Sequence, residues 1–311
     1  MISFGPVPSR RLGYSLGINN IPSRKICSYS CTYCQVGLTR RYCIERAEFY
    51  EPDTIFSEVG KHLEKLAKKP DYLTFVANGE PTLDKNLGRS IRILQSFDIP
   101  VAVITNASLL SAPQVQDDLC IADWVSVKAD ANDEKVWKKL NRPFHLLEFD
   151  RHKEGVLKFS SQYKGKLVTE TMLVKGINDS DRDLRKNADF IQNINPSVAY
   201  LSVPIRPPAL SSVEKPDEET INEACQIYTE AGITVEMLLG FEGINTGYTG
   251  NAIEDIVNIC TVHPIREDTM QELLKKDQAG PGTLEMLLQN NTIRKVRYNG
   301  LNFYVRKFST E

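Results

Sequence analysis

The sequence lacks the features that mark several large classes of protein. No apolar run approaches the ~20 residues needed to span a bilayer, so no membrane-spanning segment is expected. Residues 1–6 lack the charged and apolar regions of a signal peptide, which favours the cytoplasm. The 38 Lys and Arg residues nearly balance 40 Asp and Glu residues, and the formal net charge of −2 argues against a general polyanion binder.

The sequence also shows no disulfide framework. It has seven cysteines, an odd number, in 311 residues, whereas disulfide scaffolds are small, secreted and evenly paired. Cys27, Cys31 and Cys34 form a C-x3-C-x2-C cluster, and the other four cysteines are scattered. Free Cys is a common small core residue, so only the clustered cysteines need a separate explanation.

Strand-like and helix-like segments alternate along most of the chain. Runs rich in β-branched and aromatic residues predict strands at 15–18, 72–77, 101–104, 124–127, 167–174 and 198–203. Helical spacing of apolar residues marks 54–66, 87–97, 183–192 and 218–231. This alternation predicts an α/β fold, and about six units suit a partial (β/α)6 TIM-like barrel with its chemistry at the C-terminal strand ends.

The pattern changes near residue 245, and we predict two domains, 1–245 and 246–311. Helical segments at 252–259, 266–276 and 281–288 precede strand-like runs at 293–298 and 301–308. Asn299-Gly300 between those runs is a strong hairpin signal. Three helices followed by a hairpin predict a small winged-helix-like domain. Its hairpin is basic and contains no acid, so contact with RNA, with an acidic protein or with neither stays open.

Three closely spaced thiolates suit a soft metal centre. A structural zinc site would need a fourth ligand, for which Cys43 and His62 are the nearest downstream candidates. A set of three cysteines also suits a [4Fe–4S] cluster with one iron left open for chemistry. The spacing alone therefore leaves open a zinc site, an electron-transfer protein and a cluster enzyme.

The cysteine spacing, with Tyr33 directly before the third cysteine, resembles that of the radical SAM superfamily. In that family the open iron of a [4Fe–4S] cluster binds S-adenosylmethionine. An external electron donor, such as a ferredoxin or flavodoxin, reduces the cluster, and cleavage of the sulfonium gives a 5′-deoxyadenosyl radical that abstracts hydrogen from a substrate. The resemblance implies an enzyme whose cluster ligands are Cys27, Cys31 and Cys34.

Two motifs at strand ends extend the resemblance. Gly79-Glu80-Pro81 resembles the family's Gly-Glu-Pro motif, whose carboxylate meets the methionyl ammonium of the cofactor. Asn106 follows the next strand, where the family often has Thr-Asn near the ribose or carboxylate. Each segment taken alone is also an ordinary turn after a strand.

The next two strands carry further candidates. Ser126, Lys128 and Asp130 share one side of their strand by alternation, and the family places cofactor-binding polar groups there. Burial of such residues is costly unless they are paired or bound, so an internal ion pair is the alternative. Val174 lies in a segment that resembles the strand whose apolar end packs on the adenine, although an apolar residue there is also ordinary core.

A few charged residues have weaker claims. Arg206, in a Pro-rich loop after the strand at 198–203, is a candidate for the cofactor carboxylate or a substrate anion, with a surface role as the alternative. Glu170 is a candidate contact if it faces the barrel interior. Arg10-Arg11 and Arg24-Lys25 flank the cysteines and could neutralise an anionic substrate, but such charges usually form a solvated face.

The substrate class rests on resemblance alone. Residues 4–13 resemble uncharacterised relatives of the wybutosine-pathway enzymes, which modify tRNA and have further N-terminal cysteines; none precedes Cys27 here. Another branch of the family activates glycyl-radical enzymes and has this compact size. A protein substrate would suit a winged-helix-like tail. We therefore predict a macromolecular substrate, tRNA or protein. Activation of a glycyl-radical enzyme is the alternative function, and a non-catalytic metal-binding or electron-transfer protein is the further alternative.

Overall fold

The computed structural model describes residues 2–22, 25–240 and 243–307. The strands are β1 (Ser3–Ser9), β2 (Gly13–Ile18), β3 (Ile26–Cys27), β4 (Arg41–Tyr42), β5 (Tyr72–Phe75), β6 (Val101–Thr105), β7 (Trp124–Lys128), β8 (Lys166–Met172), β9 (Val198–Ser202), β10 (Val235–Leu238), β11 (Ile265–Arg266), β12 (Ile293–Tyr298) and β13 (Leu301–Arg306). The helices are α1 (Pro52–Lys65), α2 (Leu87–Leu94), α3 (Pro113–Leu119), α4 (Glu134–Asn141), α5 (Phe149–Gln162), α6 (Asp181–Ile194), α7 (Glu218–Glu230), α8 (Ala252–Val262), α9 (Glu267–Lys276) and α10 (Pro281–Gln289).

The predicted partial barrel is confirmed. Eight strands form one sheet in the order β1-β2-β5-β6-β7-β8-β9-β10, curled into a half-barrel. Strands β2 and β5 to β10 run parallel, and β1 pairs with β2 in the antiparallel sense. The six predicted strands correspond to β2 and β5 to β9, and β1 and β10 extend the sheet at its two edges.

The two faces of the sheet have different partners. Val125 and Val127 belong to the main core, which joins the outer face of the sheet to the helices. Trp124 and Val168 point to the other side, into a smaller cluster on the inner face. Because side chains alternate along a strand, Ser126 and Lys128 of β7 also face inward, beyond Trp124. The inner face thus has an apolar floor and a polar layer nearer the C-terminal strand ends.

Several strands and helices of the structure were not predicted from the sequence. β1 contains two prolines and a glycine, which weaken any strand signal, yet it pairs along β2. β10 has only four residues, two of them exposed, because it lies at the sheet edge. The helices α3, α4 and α5 were also not predicted, and the first two are only 7 and 8 residues long.

The C-terminal residues form helices α8, α9 and α10 and a three-stranded sheet in the order β11-β13-β12. The hairpin strand predicted to reach Phe308 ends at Arg306, and Phe308 lies outside the described residues. The C-terminal helices and strands have a hydrophobic core that includes Ile256 and Met270 and extends to Phe4 of β1. The winged-helix-like assignment and the domain boundary near residue 245 stay predictions. Among the residues that the structure describes, no helix combines the length and apolar character needed to cross a membrane.

Candidate functional site

The cysteine-bearing segment, residues 25–43, lies against the end of β5. The Ile26 amide donates to the Asn78 carbonyl (3.2 Å), and the Glu80 amide donates to the Ile26 carbonyl (3.0 Å). Gly79 lies between these two bonds with φ of +144°, a conformation that L side chains rarely adopt. Glycine is needed at position 79 because the Ile26 backbone approaches it closely. The two hydrogen bonds of Ile26 then fix the start of the cysteine segment over the sheet.

The other side of the segment is fixed by α4. The Ser30 amide donates to the Asn141 carbonyl (3.1 Å), and the Thr32 amide donates to the Leu140 carbonyl (2.9 Å). These carbonyls lie in the last turn of α4, where a helix has unsatisfied acceptors. The cysteine segment is thus held between the end of β5 and the end of α4.

Each of the three clustered cysteine sulfurs accepts a hydrogen bond from a nitrogen donor. Cys27 Sγ accepts from the Tyr29 amide (3.4 Å) and from Asn106 Nδ2 (3.5 Å). Cys31 Sγ accepts from Asn141 Nδ2 (3.5 Å). Cys34 Sγ accepts from the ammonium of Lys25 (3.1 Å). All three thiols are free of disulfides, and donors of this kind stabilise thiolates.

Burial raises the pKa of two of these thiols, those of Cys27 and Cys31. Desolvation raises the pKa of Cys27 to about 12 and that of Cys31 to about 11, against the opposing charge of Lys25. Lys25 itself is only 4% exposed, and its ammonium also donates to the Gly37 carbonyl (2.6 Å). Burial alone would lower the pKa of Lys25, but the neighbouring Cys34 and the other two cysteines raise it. The segment therefore keeps a buried cation beside its sulfurs.

Glu80 is a buried carboxylate at the end of β5 with four donors. Its Oε1 accepts from the Thr82 amide (3.1 Å), the Thr82 hydroxyl (2.7 Å) and the Thr105 hydroxyl (2.6 Å). Its Oε2 accepts from the Asn106 amide (2.7 Å). Burial raises the pKa of Glu80, and the four donors oppose that rise. Oε2 keeps a lone pair, so the carboxylate can accept one more donor such as an ammonium group.

Tyr33, Asp130 and Asn141 form a second polar group beside Cys31. The Tyr33 hydroxyl donates to Asp130, and Asn141 Nδ2 donates to the same carboxylate (2.7 Å). The other oxygen of Asp130 accepts from the Met172 amide (2.8 Å). A small pocket opens here, lined by Tyr29, Lys128, Ala129, Asp130, Ala131, Trp137, Asn141 and His152.

A buried ion triad occupies the inner face of the sheet. Glu170 of β8 pairs with Lys128 of β7 (2.8 Å) and with Arg11, which comes from the turn between β1 and β2. Burial opposes ionisation of Glu170, but the charges of Arg11 and Lys128 lower its pKa to about 2. The Lys128 ammonium also lies 5.2 Å from the centre of the Tyr33 ring, a cation–π contact. The triad thus links the barrel interior to the cysteine segment.

The remaining candidates lie around these groups. Pro81 starts a short 3₁₀ turn, and Ser126 is buried on the inner face. Val174 is buried in an apolar cluster with Tyr33. Arg206 donates to Gln35 of the cysteine segment (3.3 Å). Arg24 lies outside the described residues.

Two side chains of the candidate site were not predicted from the sequence. Asn141 donates both to Cys31 and to Asp130, although it ends an unpredicted helix and has no motif around it. Lys25 was interpreted as a flanking charge, but it is buried against Cys34. Its nine-residue separation from that cysteine gives no local signal. Among the described residues, no three His, Cys, Asp or Glu side chains are arranged around a single metal ion.

Comparison with known proteins places this geometry in a family. Residues 21–188 match the radical SAM superfamily. A UPF0026 protein of Methanocaldococcus jannaschii is 45% identical over 312 residues, which cover 99% of this chain and 97% of that protein.

Solved structures share the fold. A radical SAM methyltransferase from Sphaerobacter thermophilus aligns with a TM-score of 0.53 and 17% identity over 72% of this chain and 66% of that chain. Streptococcus suis SuiB bound to S-adenosylmethionine aligns with a TM-score of 0.52 and 14% identity over 71% and 51%. The chain belongs to the radical SAM superfamily, whose members use a [4Fe–4S] cluster and S-adenosylmethionine as cofactors.

Proposed function

We propose that this chain is a radical SAM enzyme whose cluster is held by Cys27, Cys31 and Cys34. The main observation in support is a set of hydrogen bonds to the three cysteine sulfurs. Each sulfur accepts a hydrogen bond from a nitrogen atom, and these nitrogens belong to separate parts of the chain. Hydrogen bonds to cluster sulfurs are a main protein control on reduction potential.

When bound, the cluster and S-adenosylmethionine supply one-electron cleavage of the sulfonium and hydrogen abstraction from a substrate. The chain's own residues bind and orient the cofactor. Glu80, held by four donors, is oriented to accept the methionyl ammonium, and Gly79 and Pro81 fix its position. Asn106, beside Cys27, is the proposed partner of the ribose or carboxylate.

On the other side of the proposed cofactor site are residues in β7 or just after the ends of β7 and β8. Ser126, Lys128 and Asp130 offer polar contacts to the cofactor, while Tyr33 is fixed by its bond to Asp130. Val174 packs beside Tyr33 and is the proposed apolar contact of the adenine. Arg206, fixed near the cysteine segment through Gln35, is a candidate for an anionic group of the cofactor or substrate.

The proposed substrate is a macromolecule, tRNA or protein. We propose that the predicted C-terminal domain, residues 246–311, binds this substrate. Two contacts support this role. Gln35 Nε2 of the cysteine segment donates to the Val262 carbonyl at the end of α8 (2.9 Å). The Tyr298 hydroxyl of the hairpin donates to the Pro204 carbonyl after β9 (3.2 Å). A substrate bound to the tail would therefore lie next to the cysteines.

Anaerobic reconstitution with iron and sulfide tests this function. With dithionite and S-adenosylmethionine, the wild-type protein should form 5′-deoxyadenosine and methionine, and Cys31→Ala should form neither. If wild-type protein with a full cluster yields neither product, even with a cell extract as a source of substrate, the enzyme proposal is wrong and an electron-transfer role is favoured. Copurification of tRNA or of a protein, and its loss after removal of residues 246–311, then distinguishes the substrates.

Lys25 gives a first prediction about the cluster. Lys25→Met removes the cation beside Cys34, which stabilises the reduced, more negative cluster more than the oxidised one. The midpoint potential should fall by several tens of millivolts, since the difference between the two states is a fraction of the about 1.5–3 kcal/mol of such a charged hydrogen bond. A spectroscopic redox titration measures this shift, and Lys25→Arg should retain most of the wild-type potential. Equal potentials for wild type and Lys25→Met would exclude this role.

A further inference from the structure

The solvent-facing side of the cysteine segment carries a basic and apolar surface. We call it the loop patch; its members are Leu38, Arg40, Arg41, Arg142 and Leu146. All five are exposed, and the two leucines are 50% and 63% exposed. Three of the five side chains are guanidinium groups, so this surface is basic with two apolar side chains.

The patch residues come from two segments of the chain that lie side by side. The Tyr42 hydroxyl donates to the Arg142 carbonyl, and the Tyr42 ring stacks on Phe144 with centroids 6.3 Å apart. The Phe144 amide donates to the Ser28 carbonyl (2.8 Å). These contacts fix the segment around Arg142 beside β4 and against the backbone between Cys27 and Cys31.

The charge of the patch is not neutralised within the described residues. No carboxylate there forms a salt bridge with Arg40, Arg41 or Arg142. Glu45 and Glu148, the acids nearest in sequence, are exposed and pair with none of the three. Three unpaired arginines stand out on a chain whose net charge is −2. A localised positive surface of this kind attracts an acidic partner and raises its association rate.

One residue connects the patch to the proposed cluster. The Lys25 carbonyl accepts the amides of Arg40 (3.2 Å) and Arg41 (3.0 Å). The same residue donates its ammonium to Cys34. The patch therefore lies directly outside the cluster ligands, whereas Glu80 and Asp130, proposed to face the cofactor, are buried.

We propose that the loop patch docks an acidic one-electron carrier protein that reduces the cluster. This inference rests on the proposed function, which requires such a donor. In the docked complex one electron passes from the carrier to the cluster, so the carrier is oxidised by one electron and the cluster reduced by one; no bond forms or breaks. The arginines bind the acidic surface of the carrier, and the exposed Leu38 and Leu146 supply apolar contact.

The test compares two reductants with the reconstituted full-length protein. Stopped-flow absorbance follows cluster reduction by purified reduced flavodoxin or by dithionite, without S-adenosylmethionine. For the double variant Arg40→Glu, Arg41→Glu we expect the second-order rate constant with flavodoxin to fall about tenfold or more at low salt. The rate with dithionite should stay within about twofold of wild type. Added salt should slow the wild-type reaction with flavodoxin and leave the variant nearly unchanged.

The double variant Lys61→Glu, Lys65→Glu is the matched control, because it makes the same charge change on exposed residues of α1. It should react with flavodoxin at nearly the wild-type rate. An equal loss with both reductants would mean damage to the cysteine segment and would overturn the proposal, as would unchanged reduction by flavodoxin. If the patch variant loses tRNA binding but is reduced normally by flavodoxin, the patch binds RNA instead. Because the readout is cluster reduction, failure to cleave S-adenosylmethionine would count against the proposed function alone.

Discussion

Gly79→Ala should prevent cluster assembly. A Cβ at this position would overlap the Ile26 carbonyl oxygen and lie 2.6 Å from its carbonyl carbon, and neither atom belongs to a flexible side chain. The Ile26 backbone would have to move, and the bonds that fix the cysteine segment to β5 would break. We expect iron content after anaerobic reconstitution to fall by about tenfold or more, the scale of loss when the groups that orient metal ligands are disturbed.

Gly176→Ala is the control for this experiment. Gly176 also has a positive φ, +68°, but nothing lies within 4 Å of an added Cβ. The substitution there costs only the left-handed strain of about 1–2 kcal/mol, and the protein should bind iron as the wild type does. Equal iron content in Gly79→Ala and Gly176→Ala would refute the role assigned to the Ile26–Gly79 contact.

Glu170→Ala should produce the largest loss of stability among the inner-face residues. It leaves the partly buried Lys128 and Arg11 (side chains 18% and 17% exposed) without their carboxylate, and breaking a fully buried ion pair from one side costs about 3–5 kcal/mol, an upper limit here. Denaturant unfolding of the apoprotein measures the loss. Adding Lys128→Met should restore part of it, because one uncompensated cation is removed; strict additivity of the two changes would contradict the coupling.

The same carboxylate predicts a pH dependence. The folded pKa of Glu170 is about 2, below its ordinary value of 4.5. Its contribution is therefore fully present above about pH 4.5 and is lost as the pH falls toward 2. The difference in unfolding free energy between wild type and Glu170→Gln should shrink over this interval. A difference that is constant from pH 6 to pH 3 would argue against an ionised Glu170 in the folded protein.

The sequence patterns were most informative where one segment carries the whole signal. Apolar runs predicted β5 to β9 because a buried parallel strand reads as continuous hydrophobic sequence. Glu80 and Asn106 follow such strands directly, and parallel strands bring their ends together, so their proximity was predictable. β1 was not, because its strand character comes from pairing with β2 and not from its own residues.

Contacts between distant segments could not be predicted. Arg11 and Glu170 are separated by 159 positions, and only the curl of the sheet brings the β1–β2 turn over β8. Glu170 was noted as a possible inward residue, but its partner was interpreted as a surface charge. Asn141 and Lys25 are similar cases, since each donates a hydrogen bond to a cysteine sulfur only when the cysteine segment lies between β5 and α4.

The central proposal is that Cys27, Cys31 and Cys34 hold a [4Fe–4S] cluster with an iron open to S-adenosylmethionine. Electron paramagnetic resonance of the anaerobically reconstituted, reduced protein tests it most directly. We expect a [4Fe–4S] signal that changes when S-adenosylmethionine is added, and no such signal from Cys27→Ala, Cys31→Ala or Cys34→Ala. Cys43→Ala should behave as the wild type. Bound zinc in place of iron, or a cluster signal that S-adenosylmethionine leaves unchanged, would contradict the proposal.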